Sequence, residues 1–479
     1  MRQARSPDGL TTGTFPVRPL LILCATQLIF VAAFQMAGIA LPEIQADLGV
    51  GDAALPWVNS ALALSLAALL LPAGRLVDRF GGRPIFRLGA GGLVLTSLAA
   101  AGSRSLWQLV AARAVQGAAL ALLLTAMFAL ITHLTPEPAE RVKALTWWGV
   151  AGSIGGAAGV LIGGGLLSAA GWPAVFLLIA VATAPVALLS SRLPATGVDR
   201  GRSLDIPGAA LAGATMAAAV LGLVLLAGGN LAGAALLGLA ALLTAGLVAV
   251  ERRVAQPLVP LEIVARRPFA GVSVVSVLHA AVTNTPLYFF TIYMQGMDGR
   301  SAAATGLAFV PCNLALVAGS AAGGRLVPRI APARTAALGV AVVAVGHLAM
   351  VRLPATDGYL TAFLPEIVLL GLGLGIPQVA IATAITSGVP TSYAGFASSA
   401  VSATNQVGTA VGLAILVGVA AASGGNLADR ETGYRWVFGA AAMIAVATAS
   451  LTRLLFRPAP AQNRAERTNA GRPAGHPAR

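Results

Sequence analysis

Apolar residues recur along the whole chain in runs of about 18 to 25, separated by short polar segments. A bilayer core is ~30 Å thick, and a helix needs ~20 residues to cross it. Because lipid offers backbone groups no hydrogen-bond partner, runs of this length must be helical. The pattern therefore predicts an all-α integral membrane protein of about fourteen transmembrane helices. We place them at 20–41, 55–73, 86–102, 107–133, 144–167, 172–190, 207–227, 231–250, 270–294, 302–322, 335–352, 359–386, 397–421 and 434–454.

Two similar arginine-rich turns divide these helices into a repeat. Residues 74–83 (GRLVDRFGGR) follow the second predicted helix, and residues 324–334 (GRLVPRIAPAR) follow the tenth. Either the turns look alike by chance or they mark two halves, the recurring plan of secondary transporters. We favour two halves and predict these domains: a cytoplasmic N-terminal segment (1–19), a six-helix bundle (20–190), a linker with two extra transmembrane helices (191–269), a second six-helix bundle (270–454) and a disordered cytoplasmic tail (455–479).

Charge and composition fix the orientation. Of all residues 57% are hydrophobic and 10% are charged, whereas soluble domains carry roughly 25% charged residues. The net charge of +14 does not indicate nucleic-acid binding, because the basic residues form short clusters between apolar runs. Twenty-five of the 31 basic residues lie in segments on one predicted side, and five lie on the other. The positive-inside rule then places both termini in the cytoplasm of a multi-pass plasma membrane protein, which we expect to be a monomer.

Several motifs resemble those of a known family. They are the turn at 74–83, the stretch LVAARAVQG at 109–117, Ala40-Leu41-Pro42, Trp57-Val58 and the stretch at 293–311. In these motifs, and over roughly residues 20–455, the chain resembles the major facilitator superfamily in its fourteen-helix drug:proton antiporter branch. The resemblance implies export of small molecules by alternating access, with protons as the coupling partner.

The first arginine-rich turn is the predicted conformational switch. Its glycines, among them Gly74 and Gly81, permit a tight reversal between two helices. The resemblance implies that Asp78 interacts with the start of a helix in the other half, near residue 397, and that Arg79 or Arg83 pairs with an acid at 137 or 140. Such contacts would form in one conformation and break in the other. The alternative is that the arginines only hold the loop in the cytoplasm.

Four ionisable residues within spans are candidates for proton coupling. Arg113 is costly inside a bilayer, so it should face the protein interior or a wet cavity. Glu366 is the only acid well inside a span, and burial favours the protonated form of a carboxyl. His347 falls at a similar depth on the preceding helix, which makes a Glu366–His347 pair plausible. His279 lies on the ninth helix. For each histidine, hydrogen-bonded packing is the competing interpretation.

The chain also departs from the branch it resembles. Residues 32–35 hold no acid where the first helix usually has an aspartate. In the fifth-helix motif the glycines Gly155, Gly159, Gly163 and Gly164 remain, but both usual prolines are replaced. The motifs therefore indicate membership of the family more strongly than they indicate its conventional proton-antiport mechanism. The polar side chains expected to line the substrate cavity are Gln35, Asn59, Gln116, Asn284, Tyr288 and Gln378.

These observations predict an exporter of small, largely apolar organic molecules, as in drug, antibiotic or metabolite efflux. A mostly apolar cavity with a few polar groups suits such cargo. The alternatives are an uptake carrier or facilitator of the same fold, and a membrane receptor that has lost transport. No nucleotide-binding or metal-ligand motif appears, so we expect no enzyme activity, no cofactor and no bound metal.

Overall fold

The computed structural model describes residues 16–49, 57–196, 205–227, 229–254, 257–296, 304, 307–351, 359–387, 389, 393–421 and 427–456. Most of the predicted N-terminal segment and nearly all of the predicted tail lie outside these residues. The helices are α1 (Val17–Ile39), α2 (Leu41–Leu48), α3 (Trp57–Phe80), α4 (Gly82–Ala101), α5 (Leu106–Leu134), α6 (Pro138–Leu189), α7 (Ile206–Ala227), α8 (Ala232–Glu251), α9 (Leu261–Val264), α10 (Arg267–Gly296), α11 (Val310–Ile330), α12 (Pro332–Met350), α13 (Tyr359–Ser387), α14 (Ala394–Ala421) and α15 (Leu427–Leu455).

Thirteen of the described helical segments are long and apolar enough to span a bilayer. One of them, α6, crosses twice, because Gly171 breaks its helical backbone with φ 77° and ψ 173°. An L side chain rarely adopts that conformation, and glycine does so without penalty. After the break, Trp172 donates its indole N–H to Asp47 on α2 over 2.8 Å. The prediction of about fourteen membrane crossings in an all-α protein is confirmed.

Several helices end away from their predicted boundaries. The second was predicted at 55–73, whereas α3 continues to Phe80; the tenth was predicted at 302–322, whereas α11 occupies Val310–Ile330. Both carry arginines on the added turns, and long basic side chains can reach the headgroups from helix ends. A hydropathy boundary therefore marks the end of the hydrocarbon and not the end of the helix. The short helix α2 was not predicted.

The two arginine-rich turns share one backbone geometry. Gly81 joins α3 to α4 with φ 86° and ψ 156°, and Ala331 joins α11 to α12 with φ 71° and ψ 154°. Each reversal thus needs one residue, which corrects the expected loop: Gly74 and Asp78 are helical, and Gly74 is buried within α3. The repeat seen in the sequence is reproduced in the backbone, although alanine is strained in this region.

Helices α1 and α3–α6 pack with one another, as do α10–α15, and the two groups meet along α6–α11, α6–α13, α3–α14 and α5–α14. We call the end of the bundle that carries Arg75, Arg141, Arg192, Arg325 and Arg453 the arginine-rich end. There the Ser399 hydroxyl donates to the Leu70 carbonyl over 2.7 Å, and Gly324 of α11 packs on Thr146 of α6. The two groups of helices are therefore in contact at the arginine-rich end.

Of the two helices between the groups, α7 packs on both of them. Helix α7 contacts α3 and α14, and α8 packs on α7. Ala67 of α3, Val220 of α7 and Ala410 of α14 belong to one buried apolar cluster. At the arginine-rich end, buried Asp205 accepts a hydrogen bond from the Leu258 backbone N–H. Helix α7 thus covers the line along which α3 and α14 meet.

Candidate functional site

A buried acid–base pair lies in the second group of helices. Nδ1 of His347, on α12, is 2.7 Å from Oε1 of Glu366, on α13, and both side chains are fully buried. Nε2 of His347 is 2.8 Å from the Val282 carbonyl of α10. The structure thus brings together the two residues that the depth count placed at one level.

The hydrogen-bond geometry fixes how many protons the pair holds. A carbonyl oxygen only accepts, so Nε2 of His347 must carry a hydrogen and donate it to Val282. One further proton must then lie between Nδ1 and Glu366 Oε1, on either atom, for the 2.7 Å contact to form. If that proton leaves, two lone pairs face each other. The hydrogen bond by which His347 of α12 contacts Glu366 of α13 therefore depends on a single proton.

The second oxygen of Glu366 is buried and has no hydrogen-bond partner. It lies against Gly346, at the place that a Cβ atom on residue 346 would occupy. A buried carboxyl oxygen without a hydrogen-bond partner is costly. The glycine therefore makes room for the carboxyl group without offering it a partner.

His279 belongs to the same region. It is buried on α10, with Nε2 3.2 Å from the Gly373 carbonyl of α13. Gly373 follows Glu366 by about two helical turns, or ~10 Å. The observed contact is a side chain to backbone hydrogen bond that ties α10 to α13, which is the packing interpretation weighed for this residue.

Arg113 is buried in the first group and faces neutral acceptors. It donates to the Val58 carbonyl over 3.1 Å, to Gln116 Oε1 over 2.7 Å and to Asn59 Oδ1 over 3.0 Å. Gln116 in turn donates to Ser97 over 2.8 Å. Among the described residues, no carboxylate forms a salt bridge with Arg113. The guanidinium is therefore held by dipoles, and its charge is not neutralised.

The fifth-helix glycines lie in the first arm of α6, residues 138–170, and pack against the backbone of α1. A Cβ atom on Gly155 would meet the Leu28 carbonyl, and one on Gly159 would lie 2.8 Å from Ala32 Cα. Gly163 faces Met36 in the same way. Gly164 differs, since its Cβ position has no neighbour within 4 Å. Three of the four motif glycines thus allow close helix contact.

A neighbouring face of this arm carries three more glycines, at i, i+3 and i+7, and each faces polar side chains. Gly152 lies against the amide of Gln27 from α1. Gly156 lies against Asn313 Oδ1 of α11. Gly149 is close to Ser320 of α11 and to Oε1 of Gln378 of α13. We call Gln27, Asn313, Ser320 and Gln378 the amide cluster; both groups of helices contribute to it.

The other expected cavity residues are distributed around this cluster. Gln35 and Gln378 have exposed side chains, and Asn59 is half-buried. Asn284 donates to Thr409 of α14 over 2.9 Å and is 3.4 Å from Asn405. The side chain of Tyr288 lies outside the described part of the structure. Sequence reasoning missed Asn313 and Ser320, although both are polar residues in or beside one apolar run and could have been noticed there.

The predicted switch residues lie at the arginine-rich end. Arg83, the second residue of α4, donates to the Leu193 carbonyl over 3.4 Å, and the guanidinium of Arg79 lies 5.5 Å from the centre of the Phe80 ring. The resemblance implied that Arg79 or Arg83 pairs with an acid at 137 or 140. Within the described residues, Arg83 forms no ion pair with Glu137 or Glu140. The role of Asp78 stays a prediction.

A family model, described as the Major Facilitator Superfamily, matches residues 23–413. The puromycin resistance protein pur8 of Streptomyces alboniger is 35% identical over 86% of this chain and 84% of its own length. The cephamycin export protein CmcT of Amycolatopsis lactamdurans is 35% identical over 94% of this chain and 95% of its own. The multidrug efflux pump LfrA of Mycolicibacterium smegmatis is 28% identical over 86% and 82%.

Two solved structures share the fold. The human organic anion transporter MFSD10 superposes with a TM-score of 0.68 over 91% of this chain and 99% of its own, at 15% identity. The Escherichia coli fucose:proton symporter FucP, in a variant form, gives a TM-score of 0.64 over 93% and 100%, also at 15% identity. At this identity the likeness concerns the fold alone.

Proposed function

The chain belongs to the major facilitator superfamily, and on that premise we propose that it exports small organic molecules across the plasma membrane in exchange for protons. Its relatives include proteins named for antibiotic resistance, antibiotic export and multidrug efflux. One of them is named an export protein and another an efflux pump, which supports transport rather than enzymatic catalysis. The observation that carries the proton part of the proposal is the buried His347–Glu366 contact.

In the proposed cycle, the presence or absence of a proton on that contact determines how the surrounding helices pack. With one proton shared, α12, α13 and α10 are held together through Glu366, His347 and the Val282 carbonyl. Loss of the proton removes the attraction and leaves Glu366 as a buried, unpaired anion, which is expensive. The deprotonated pair must rearrange or gain water, so the two occupancies favour different packing of the second half, as alternating access requires.

The positive-inside rule supports a cytoplasmic arginine-rich end. The contacts of Ser399 with Leu70 and of Gly324 with Thr146 then close the cytoplasmic side. Glu366 lies about seven residues, or ~10 Å, from the start of α13, which is at the end of the bundle opposite the arginine-rich end. In this state the pair is on the side from which external protons arrive. The two six-helix halves, with α7 and α8 as an insertion between them, complete the proposed arrangement.

Arg113 supplies a second element of the proposal. A buried guanidinium held only by neutral acceptors adds positive potential to the first half. Together with the missing first-helix acid, it disfavours strongly cationic cargo. We propose that Arg113 and its hydrogen-bond partner Gln116 shape this potential, and that Asn59 connects them to the cavity.

Everted membrane vesicles test the proposal. Vesicles with an acidic interior are offered a panel that includes puromycin, and proton release is read as cargo is added. Glu366→Gln should lower proton-driven uptake by ~10-fold or more, the factor that one hydrogen bond provides, while cargo exchange without a gradient continues. Glu262→Gln, which changes an exposed acid on α9, is the matched control. Undiminished proton release in Glu366→Gln contradicts the assignment; absence of all transport in the parent chain favours a receptor.

A further inference from the structure

The amide cluster contains polar atoms that are buried without a partner. Among the described residues, Oε1 of Gln27 and Oγ of Ser320 are both buried and make no hydrogen bond. Gln27 is 6% exposed and Ser320 is 0% exposed. Buried polar groups in native proteins are nearly always hydrogen-bonded, so such exceptions need an explanation. Two of them, one from each half, lie beside glycines three residues apart on one helix.

Their position in the bilayer is near the middle. Gly152, which faces Gln27, is about fourteen residues from the start of α6, or ~21 Å along a helix arm of ~50 Å. Substrate sites in secondary transporters lie near the midplane, at the interface between repeats. The glycines supply space at this point, because any side chain at 152 or 156 would overlap the amides of Gln27 or Asn313.

The chemistry of the cluster limits its ligand. The side chains nearest to the Cβ positions of Gly149, Gly152 and Gly156 are uncharged: Gln27, Val31, Asn313, Ser320 and Gln378. An unpaired amide oxygen accepts a hydrogen bond, and a hydroxyl can accept or donate one. A ligand hydroxyl group can pair with both, because it can donate to Gln27 Oε1 and accept from the Ser320 hydroxyl. A permanent cation would find no carboxylate among these groups.

We infer that the amide cluster is the polar recognition site for the cargo, and that the cargo presents an uncharged hydroxyl group to Gln27 and Ser320. The inference rests on the proposed export function and adds to it the class of molecule carried. Because the two groups come from different halves, a cargo that bridges them favours the state in which the halves meet around it. A hydrogen bond from the cargo to each of these two buried atoms would recover the free energy that their burial costs.

The sharpest test is a variant that gains stability and loses function. Ser320→Ala removes a buried hydroxyl that has no hydrogen-bond partner. The thermal midpoint of the protein without cargo should therefore rise. The matched control is Ser153→Ala on α6, where an equally buried hydroxyl already donates to the Gly149 carbonyl over 2.9 Å; its midpoint should not rise. In transport, Ser320→Ala should lose ~10-fold of the apparent affinity for hydroxylated cargo, and Ser153→Ala should retain it.

Three probes define the cargo class. Chloramphenicol is uncharged and carries hydroxyl donors, its diacetyl ester lacks those donors, and tetraphenylphosphonium is a permanent cation without donors. The parent chain should move chloramphenicol with ~10-fold or greater preference over the ester, and Ser320→Ala should abolish that preference. Equal transport of the three probes, or a Ser320→Ala variant that is less stable and transports normally, overturns the inference. If the unmodified protein moves none of the probes and no compound of the panel, the proposed export function is wrong. The comparison of Ser320→Ala with Ser153→Ala then still tests whether the Ser320 hydroxyl is buried without a partner.

Discussion

Adding one methyl group at Gly346 should uncouple the transporter from protons. Gly346→Ala places a Cβ atom where Glu366 Oε2 lies, so the carboxyl must move and its 2.7 Å contact with His347 must lengthen or break. A hydrogen bond to a charged group is worth about 1.5–3 kcal/mol. A loss of that size lowers the population of the paired state by ~10- to 150-fold.

The assay compares two modes of transport in the same vesicles. Proton-driven uptake into everted vesicles should fall by at least ~10-fold in Gly346→Ala. Cargo counterflow, which needs no net proton movement, should fall much less, because the side chains of the amide cluster on α1, α11 and α13 are unchanged. The ratio of the two rates separates a coupling defect from general misfolding, which would lower both.

A matched substitution controls for the change from glycine to alanine. Gly91 is a glycine of α4 whose Cβ position meets nothing within 4 Å, so Gly91→Ala should leave both rates unchanged. It should stabilise α4 by roughly 0.8–1 kcal/mol through helix propensity alone. If Gly346→Ala keeps the parent ratio of proton-driven uptake to counterflow, the reasoning about Glu366 is refuted.

Three further predictions concern the backbone and its contacts. Ala331→Gly should raise the thermal midpoint, because the ~1–3 kcal/mol of backbone strain that it releases exceeds the flexibility cost of glycine. Gly81→Ala should destabilise the protein by a similar free energy. A lower midpoint in Ala331→Gly would argue against the shared turn geometry. Gly155→Ala should cost about 1–3 kcal/mol by forcing α6 away from α1, with Gly164→Ala near neutral, as measured by unfolding in detergent. Trp172→Phe keeps an aromatic ring but loses the indole N–H given to α2, so proteolysis near α2 should accelerate, consistent with a loss of ~1 kcal/mol.

The sequence was sufficient for properties that depend on one helix at a time. Hydrophobic run length predicted the number of crossings, and a count of residues from the helix ends placed Glu366 and His347 at one depth. Beyond the suggested Glu366–His347 pair, the faces along which helices pack were not predictable from the sequence. That Gln27 faces Gly152, or that Ser320 is left without a partner, depends on how α1 and α11 rotate against α6.

Helix ends and turns show the same limit. Hydropathy could not predict that α3 continues to Phe80, because the last turns lie outside the hydrocarbon. The arginine-rich motif correctly indicated a reversal at both repeats. It did not indicate that one residue suffices, nor that Ala331 would adopt the conformation for which Gly81 is suited. Backbone angles at a turn follow from the docking of the helices it joins.

The packing of α7 across α3 and α14 decides by which route a lipid-soluble cargo enters. Such molecules concentrate in the bilayer, and they reach a central site most directly through a lateral gap between the two halves. On one side that gap is covered by α7, with α8 behind it. Lateral entry is therefore directed to the opposite side, where α6 meets α11 and where the glycine face of α6 lies. A molecule that leaves the lipid there meets the amide cluster first, so the inserted pair of helices makes access to the bundle one-sided.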